Sequence, residues 1–231
     1  MAKHLDLEEQ EQLDDLKHFW KRYGSLITWV LIVVFGAFAA WNGYQYWQRQ
    51  QAVQASSMYD EVERAVKSND SARLDRSLGD MKDRFGSTVY AQQAGLMVAK
   101  AQYDKGNIEA TKAALSWVAN QATDEGYQAI AKLRLSGLLL EAKAYEDALK
   151  LVSGAFPKEF AALAADRRGD ILMAQEKKSE AKTEYEKAYK GLDERAEYRR
   201  LVEVKLNALG VDPVAMVSSP TPPVAALEAK K

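Results

Sequence analysis

Hydrophobic positions along this chain follow two different rhythms. Between Tyr23 and Gln48 no side chain carries a charge, and apolar residues follow one another almost without a break. Beyond Gln50 they recur at every third or fourth position instead. The first rhythm predicts a helix that is apolar all round, the second a succession of amphipathic helices.

The apolar run is read as a transmembrane helix over residues 23–48. Leu26, Ile27, Trp29, Val30, Leu31, Ile32, Val33, Val34, Phe35, Phe38 and Trp41 make up its body. A helix of about 20 residues rising about 1.5 Å each crosses the roughly 30 Å hydrocarbon layer. Trp20 and Tyr23 sit at its near end, and Trp41, Tyr44, Tyr46 and Trp47 at its far end, where amphipathic rings favour the headgroup zone. Two other readings compete, a buried core helix and a cleaved signal peptide using Ala37-Phe38-Ala39 as its processing site. A signal peptide opens on a short basic region, whereas here Asp6, Glu8, Glu9, Glu11, Asp14 and Asp15 come first, so a retained anchor is expected. Lys17, Lys21 and Arg22 precede the run and Arg49 alone follows it closely, with Arg64 and Lys67 farther on. That balance favours an N-terminus in the cytoplasm and a C-terminal domain outside it, in the periplasm of a Gram-negative cell. Residues 1–22 form a short acidic cytoplasmic segment in this reading. Leu5, Leu13 and Leu16 fit a short amphipathic helix there, and a solvated acidic tail fits equally well. Gly36, Ala37, Ala39 and Ala40 offer a small face that suits helix association or lipid alike.

Residues 49–209 read as an all-α repeat domain. Turn and cap signals fall at Ser68-Asn69-Asp70-Ser71, Phe85-Gly86-Ser87-Thr88, Lys105-Gly106-Asn107, Ala122-Thr123-Asp124-Glu125-Gly126, Gly154 to Pro157 and Gly191-Leu192-Asp193. The helices between them pair at a period near the tetratricopeptide repeat, about 34 residues. One pair carries Gly169-Asp170-Ile171-Leu172, then Ala181, Tyr185 and Ala188. An earlier pair has Leu135, Ser136 and Leu139, then Tyr145 and Ala148, and a still earlier one has Met97, Val98 and Ala101, then Ala110 and Ala114. Small residues are needed where two helices cross closely, and Ala110, Ala148 and Ala181 are 38 and 33 residues apart. A degenerate pair precedes these, and Asp193 to Leu209 is read as a capping helix with a polar outer face. A plain helical bundle is the alternative. Pro213, Pro220, Pro222 and Pro223 mark a shift in composition, and residues 210–231 read as a disordered tail.

Composition narrows the chemistry. The 231 residues leave room for the anchor and one domain of roughly 160 residues. A net charge of -1, from 32 Lys and Arg against 33 Asp and Glu, gives nucleic-acid binding no electrostatic support. There is no cysteine, and His4 and His18 both precede the apolar run, so thiolate and imidazole chemistry are absent from the C-terminal part. Asp60, Glu61 and Glu63 offer carboxylate pairs, but a solvated helix face looks the same. No phosphate-binding glycine loop or metal-ligand cluster stands out. The expected class is a non-enzymatic, protein-binding module without metal or cofactor.

Three stretches are more specific: Leu13-Asp14-Asp15-Leu16-Lys17-His18-Phe19-Trp20-Lys21-Arg22-Tyr23-Gly24, the aromatic block from Trp41 to Trp47, and Phe85-Gly86-Ser87-Thr88-Val89-Tyr90-Ala91-Gln92. With the order acidic segment, membrane helix, degenerate repeats, the chain resembles the YfgM family, ancillary subunits of the bacterial SecYEG translocon. Val89 stands where the family usually has a helix-breaking proline. The resemblance covers residues 3–209 and implies an inner-membrane protein that associates with the translocon and with the membrane-anchored periplasmic chaperone PpiD. It further implies a role in handing translocating client proteins to periplasmic folding factors, and it implies no enzymatic activity. A membrane-anchored scaffold of another cell-envelope complex shares the architecture.

Stacked helix pairs line a concave face with their first helices, the default partner site. Motif phase points Gln92, Gln102 and Tyr103 inward from one pair, Leu133, Leu140 and Glu141 from the next, and Leu163, Asp166, Asp170 and Met173 from the third. Such a groove, mixing apolar contacts with acids, suits a peptide carrying basic residues.

Overall fold

The computed structural model describes residues 7–68 and 70–213, and the regular structure among them is entirely helical. The helices are α1 (Leu7–Lys67), α2 (Ser71–Phe85), α3 (Val89–Asp104), α4 (Ile108–Gln121), α5 (Glu125–Glu141), α6 (Tyr145–Val152), α7 (Lys158–Ala174), α8 (Lys178–Gly191) and α9 (Glu197–Ala208). Two compact units divide between Gln54 and Ala55.

In the first unit α1 is long and apolar enough to cross a membrane, by length and composition. Of the apolar residues expected to cross, Ile27 is half-buried and the others are exposed, Trp29 and Phe35 at 66% each. Two of the polar side chains in the apolar stretch bond back to the helix itself. Thr28 Oγ1 donates to the Gly24 carbonyl at 2.8 Å and Asn42 Nδ2 to the Phe38 carbonyl at 2.9 Å, so each hands a donor to the preceding turn. Leu13 and Leu16 lie on α1 and are exposed, while Leu5 lies outside the described residues.

In the second unit, the end of α1 from Ala55, α2 and α3 enclose a core of Val62, Leu74, Met81, Phe85 and Ala94. Asp70, Thr88 and Asp124 cap α2, α3 and α5, each accepting from a backbone amide of the first turn, at 3.0 Å from Arg73, 3.3 Å from Ala91 and 2.8 Å from Gly126. These are the caps the turn signals predict. Three pairs follow, α3–α4, α5–α6 and α7–α8. Each helix packs on the next, and the first helices α3, α5 and α7 also touch in succession. That is the contact pattern of a solenoid.

All three pairs turn in the same way. The amides of Asn107, Ala144 and Lys177 bond back to the carbonyls of Gln102, Leu139 and Leu172 at 2.8–2.9 Å, and the residue before each amide has a positive φ: Gly106 at 76°, Lys143 at 59°, Glu176 at 62°. This is the Schellman closure, in which a left-handed residue lets the chain cap its own helix. Lys143 and Glu176 carry no glycine signal, so these two breaks are not legible as turns.

The shared turn fixes the repeat phase and corrects one expectation. Thr111, Ala148 and Ala181 each stand five residues beyond the left-handed position, and all are buried, at 2%, 0% and 0%. Ala110 is therefore one residue out of phase. Thr111 holds the small position because its hydroxyl donates to the Asn107 carbonyl at 3.0 Å, so burial leaves no orphan. On the first helices the equivalent crossing positions are Ala99, Ser136 and Gly169, all buried. A Cβ on Gly169 would overlap the Tyr185 ring. Helix α7 thus lies as close to α8 as a backbone without a side chain allows.

Val211 is buried and its amide bonds to the Leu206 carbonyl at 3.1 Å, again with a left-handed glycine before it, Gly210 at φ 75°. Pro213 is fully buried as well. The folded unit therefore includes residues 210–213, which composition assigned to the tail, because the turn that closes α9 needs them. Residues 214–231 lie outside the described residues. The outer face of α9 is less polar than expected, since Leu201 and Val204 are exposed.

Candidate functional site

The first helices α3, α5 and α7, together with α4, border a cavity of about 320 Å³. Ala99, Leu115 and Leu138 line it with apolar surface, and Tyr103, 46% exposed, stands at its edge. Lys100, Arg134 and Arg167 bring positive charge into it, one from each first helix, against the single carboxylate of Glu141.

The phase of the repeats explains the lining. Arg134 and Arg167 each lie nine residues before their left-handed turn, at Lys143 and Glu176. Lys100, Gly137 and Asp170 each lie six before theirs. Gly137 leaves a gap in that second row, and the Arg167 guanidinium occupies it: a Cβ on Gly137 would lie 3.6 Å from Arg167 Cζ, Nη1 and Nη2. Arg167 is only loosely held otherwise, its Nη1 standing 3.9 Å from Asp170 Oδ2. Lys100 bonds Asp104 at 2.7 Å with both side chains largely exposed, a pairing worth little in water. Arg134 is exposed and has no ion-pair or hydrogen-bond partner among the described residues.

Of the ten residues expected in the groove, the structure brings Tyr103 and Glu141 together here. Gln92 and Gln102 are buried at 0% and 3% and tie loops instead, Gln92 Nε2 donating to Thr123 Oγ1 at 2.7 Å and Gln102 Oε1 accepting from Asn107 Nδ2 at 2.8 Å. Leu133 and Leu140 pack on the Ala148, Val152 and Ile171 cluster, and Met173 on the cluster under α9. Leu163 is half-buried.

Asp166 and Asp170 have the most definite fate. Asp166 is buried at 1%, and Lys205 of α9 donates to both its carboxylate oxygens at 2.7 and 2.9 Å and to Asp170 Oδ1 at 2.6 Å. Tyr198 donates to Asp166 at 2.6 Å and Tyr185 to Asp170 at 2.8 Å. Burial, and then the neighbouring carboxylates, push both phenols well above the ordinary tyrosine range. The two acids are thus internal counter-charges that clasp α9 to α7. Apart from Glu141, the charge that lines the groove is the opposite of the expected one, cationic where acids were expected.

A second internal pair holds α6. Arg168 donates to Glu184 at 2.6 Å and to the Val152 carbonyl at 2.7 Å, closing the end of that short helix. Burial pushes the Glu184 carboxyl up, but hydrogen bonds from Lys187 and Arg168 outweigh it and hold the group below its usual range. The perturbed groups of this region thus serve packing.

The cationic groove was hidden in the sequence because Arg134 and Arg167 look like any solvated positions on amphipathic helices. Only the turn phase, itself masked by Lys143 and Glu176, places them in one row.

The family model of a tetratricopeptide repeat-like domain matches residues 17–211. An ancillary SecYEG translocon subunit of Neisseria gonorrhoeae is 31% identical over 213 residues, 90% of this chain and 100% of the relative. Proteins of the same name from Haemophilus influenzae and Escherichia coli are 29% and 25% identical, each over 88% of this chain and covered over 98% and 97% of their own length. No solved structure matches the chain. By its all-helical repeat architecture and this full-length similarity, the chain belongs to the tetratricopeptide repeat-like family of ancillary SecYEG translocon subunits, YfgM.

Proposed function

We propose that this protein is a non-catalytic, protein-binding subunit of the SecYEG translocon that hands translocating clients to periplasmic chaperones, PpiD among them. Residues 1–22 lie in the cytoplasm in this reading, residues 23–48 cross the inner membrane, and the repeat unit works in the periplasm. The observation that carries it is the end-to-end match to relatives of that name. Physical features support it. Lys17, Lys21 and Arg22 precede the apolar stretch, the flank expected on the cytoplasmic side. The second unit presents an open groove of peptide size on its first helices. Its two strongly perturbed titratable groups among the described residues, Tyr185 and Tyr198, are committed to clasping helices, which argues for a scaffold over a reaction centre. Tethering to a membrane raises the effective concentration of the groove near nascent chains, so weak contacts suffice.

In-membrane crosslinking of the full chain, then mild-detergent affinity purification and mass spectrometry, tests the reading. Recovery of translocon subunits together with PpiD is expected. Recovery of a different envelope complex lacking both would overturn the function and leave the fold untouched.

A further inference from the structure

The groove has a chemistry that its family name does not assign. Three cations from three successive first helices face one cavity, and the one acid lining it is Glu141. Like charges drawn together on a folded surface repel one another, and the internal partners here are weak: Lys100 meets Asp104 in water and Arg167 stands 3.9 Å from Asp170, whereas Lys205 is enclosed with Asp166 at 2.7 Å. Arg134 is unpartnered among the described residues, so its guanidinium fork is free to take a carboxylate with two parallel hydrogen bonds, and Arg167, loosely paired with Asp170 at 3.9 Å, keeps donors that a second carboxylate can share. Beside them the Tyr103 ring, 46% exposed, offers apolar surface over a floor of the buried Ala99, Leu115 and Leu138.

We infer that this groove binds an extended segment of a partner protein in which carboxylate side chains alternate with aliphatic ones. The acids engage Arg134, Arg167 and Lys100, and an aliphatic side chain packs on the Tyr103 ring above Leu115 and Leu138. The inference rests on the reading of the repeat unit as a partner-binding module and gives that module its selectivity. Charge complementarity sets register and excludes basic segments, while the apolar wall supplies burial. Gly137 is the positioning residue: its missing side chain is the space in which Arg167 lies.

The test uses the full chain in detergent micelles and three dye-labelled peptides with alternating Leu, whose other positions are Glu, Gln or Lys. Fluorescence anisotropy is expected to rank Glu above Gln by about tenfold or more and to show no capture of the Lys peptide. Binding should weaken steadily between about 0.1 M and about 1 M salt. The paired substitution Lys100→Glu and Arg134→Glu should reverse the ranking. Gly137→Leu, which leaves every charge in place, should weaken the Glu peptide about tenfold by displacing Arg167. Equal binding of Glu and Lys peptides, or a Glu peptide indifferent to both variants, overturns the inference. If truncation after Pro213 raises Glu-peptide affinity severalfold, the chain's own C-terminal residues are the occupant, and the assignment to a partner falls. Crosslinking of the same preparations separates this inference from the function. A chain that finds the translocon but ignores the Glu peptide defeats the inference alone, and one that binds the peptide but finds no translocon defeats the function.

Discussion

Residues 133–137 on α5 and 166–170 on α7 occupy the same stretch of two successive first helices, and they part at the ends of that stretch, where α7 carries two acids. On α5 the stretch faces an open groove, with Arg134 exposed and Gly137 offering only space. On α7 Arg167 still reaches that groove, but α9 draws Asp166 and Asp170 on either side of it into a clasp with Lys205, Tyr198 and Tyr185. A repeat face is a binding surface only where no further helix covers it. Whether a charged residue there recognises a partner or fastens the fold depends on what lies opposite, and motif phase does not contain that information.

The comparison breaks most severely at Asp166. Asp166→Ala leaves the half-buried Lys205 ammonium with Asp170 alone and should cost about 2 kcal/mol, read as a lower urea midpoint with early loss of α9 protection in hydrogen exchange. The matching change on the open side, Arg134→Ala, should stay within about 0.5 kcal/mol of the parent in the same denaturation, because nothing internal depends on it.

The two glycines sharpen it next. Gly169→Ala drives a methyl into the Tyr185 ring and should cost about 1 to 3 kcal/mol. Gly137→Ala only touches the Arg167 guanidinium, and the better helix former should stabilise α5 by about 0.5 kcal/mol. Thermal unfolding of the pair, expected to move in opposite directions, checks both.

The clasp also predicts a pH response. Both phenols are held protonated in the folded chain, their pKa values raised. The unfolded state therefore releases those protons first, and the clasp's contribution, complete at neutral pH, declines as pH rises above about 10, the ordinary tyrosine value. Tyr198→Phe should lower neutral stability by about 1 kcal/mol and make the alkaline decline shallower, as followed by circular dichroism across pH.

The smallest effects lie in the turns. Glu176→Gly and Lys143→Gly should each stabilise by about 0.5 to 1 kcal/mol in chemical denaturation, since both side chains now bear a left-handed backbone that glycine adopts freely. Gly106, at the equivalent place in the first pair, already has that benefit.

How much of this was legible follows from the same physics. Helix identity, pairing and the caps at Asp70, Thr88 and Asp124 are local properties, written in apolar spacing and in short polar side chains before helices. The turn at Gly106 is legible because glycine announces a left-handed residue. Those at Lys143 and Glu176 are silent because the conformation is imposed by helix packing on residues that do not prefer it. The small position at Thr111 was missed in favour of Ala110, since composition does not show that a hydroxyl can satisfy itself on the preceding turn. The acids at 166 and 170 were assigned to a groove because their counter-ion lies 39 and 35 residues away, on a helix whose docking no local pattern encodes.

Arg167 lies where a side chain at 137 would be, so the two positions share one volume across neighbouring repeats. Among relatives they should therefore covary: a chain that gains bulk at the position of Gly137 should carry a shorter residue at that of Arg167. The selectivity of the groove would then drift through compensating pairs of changes, while the helices that frame it stay as they are.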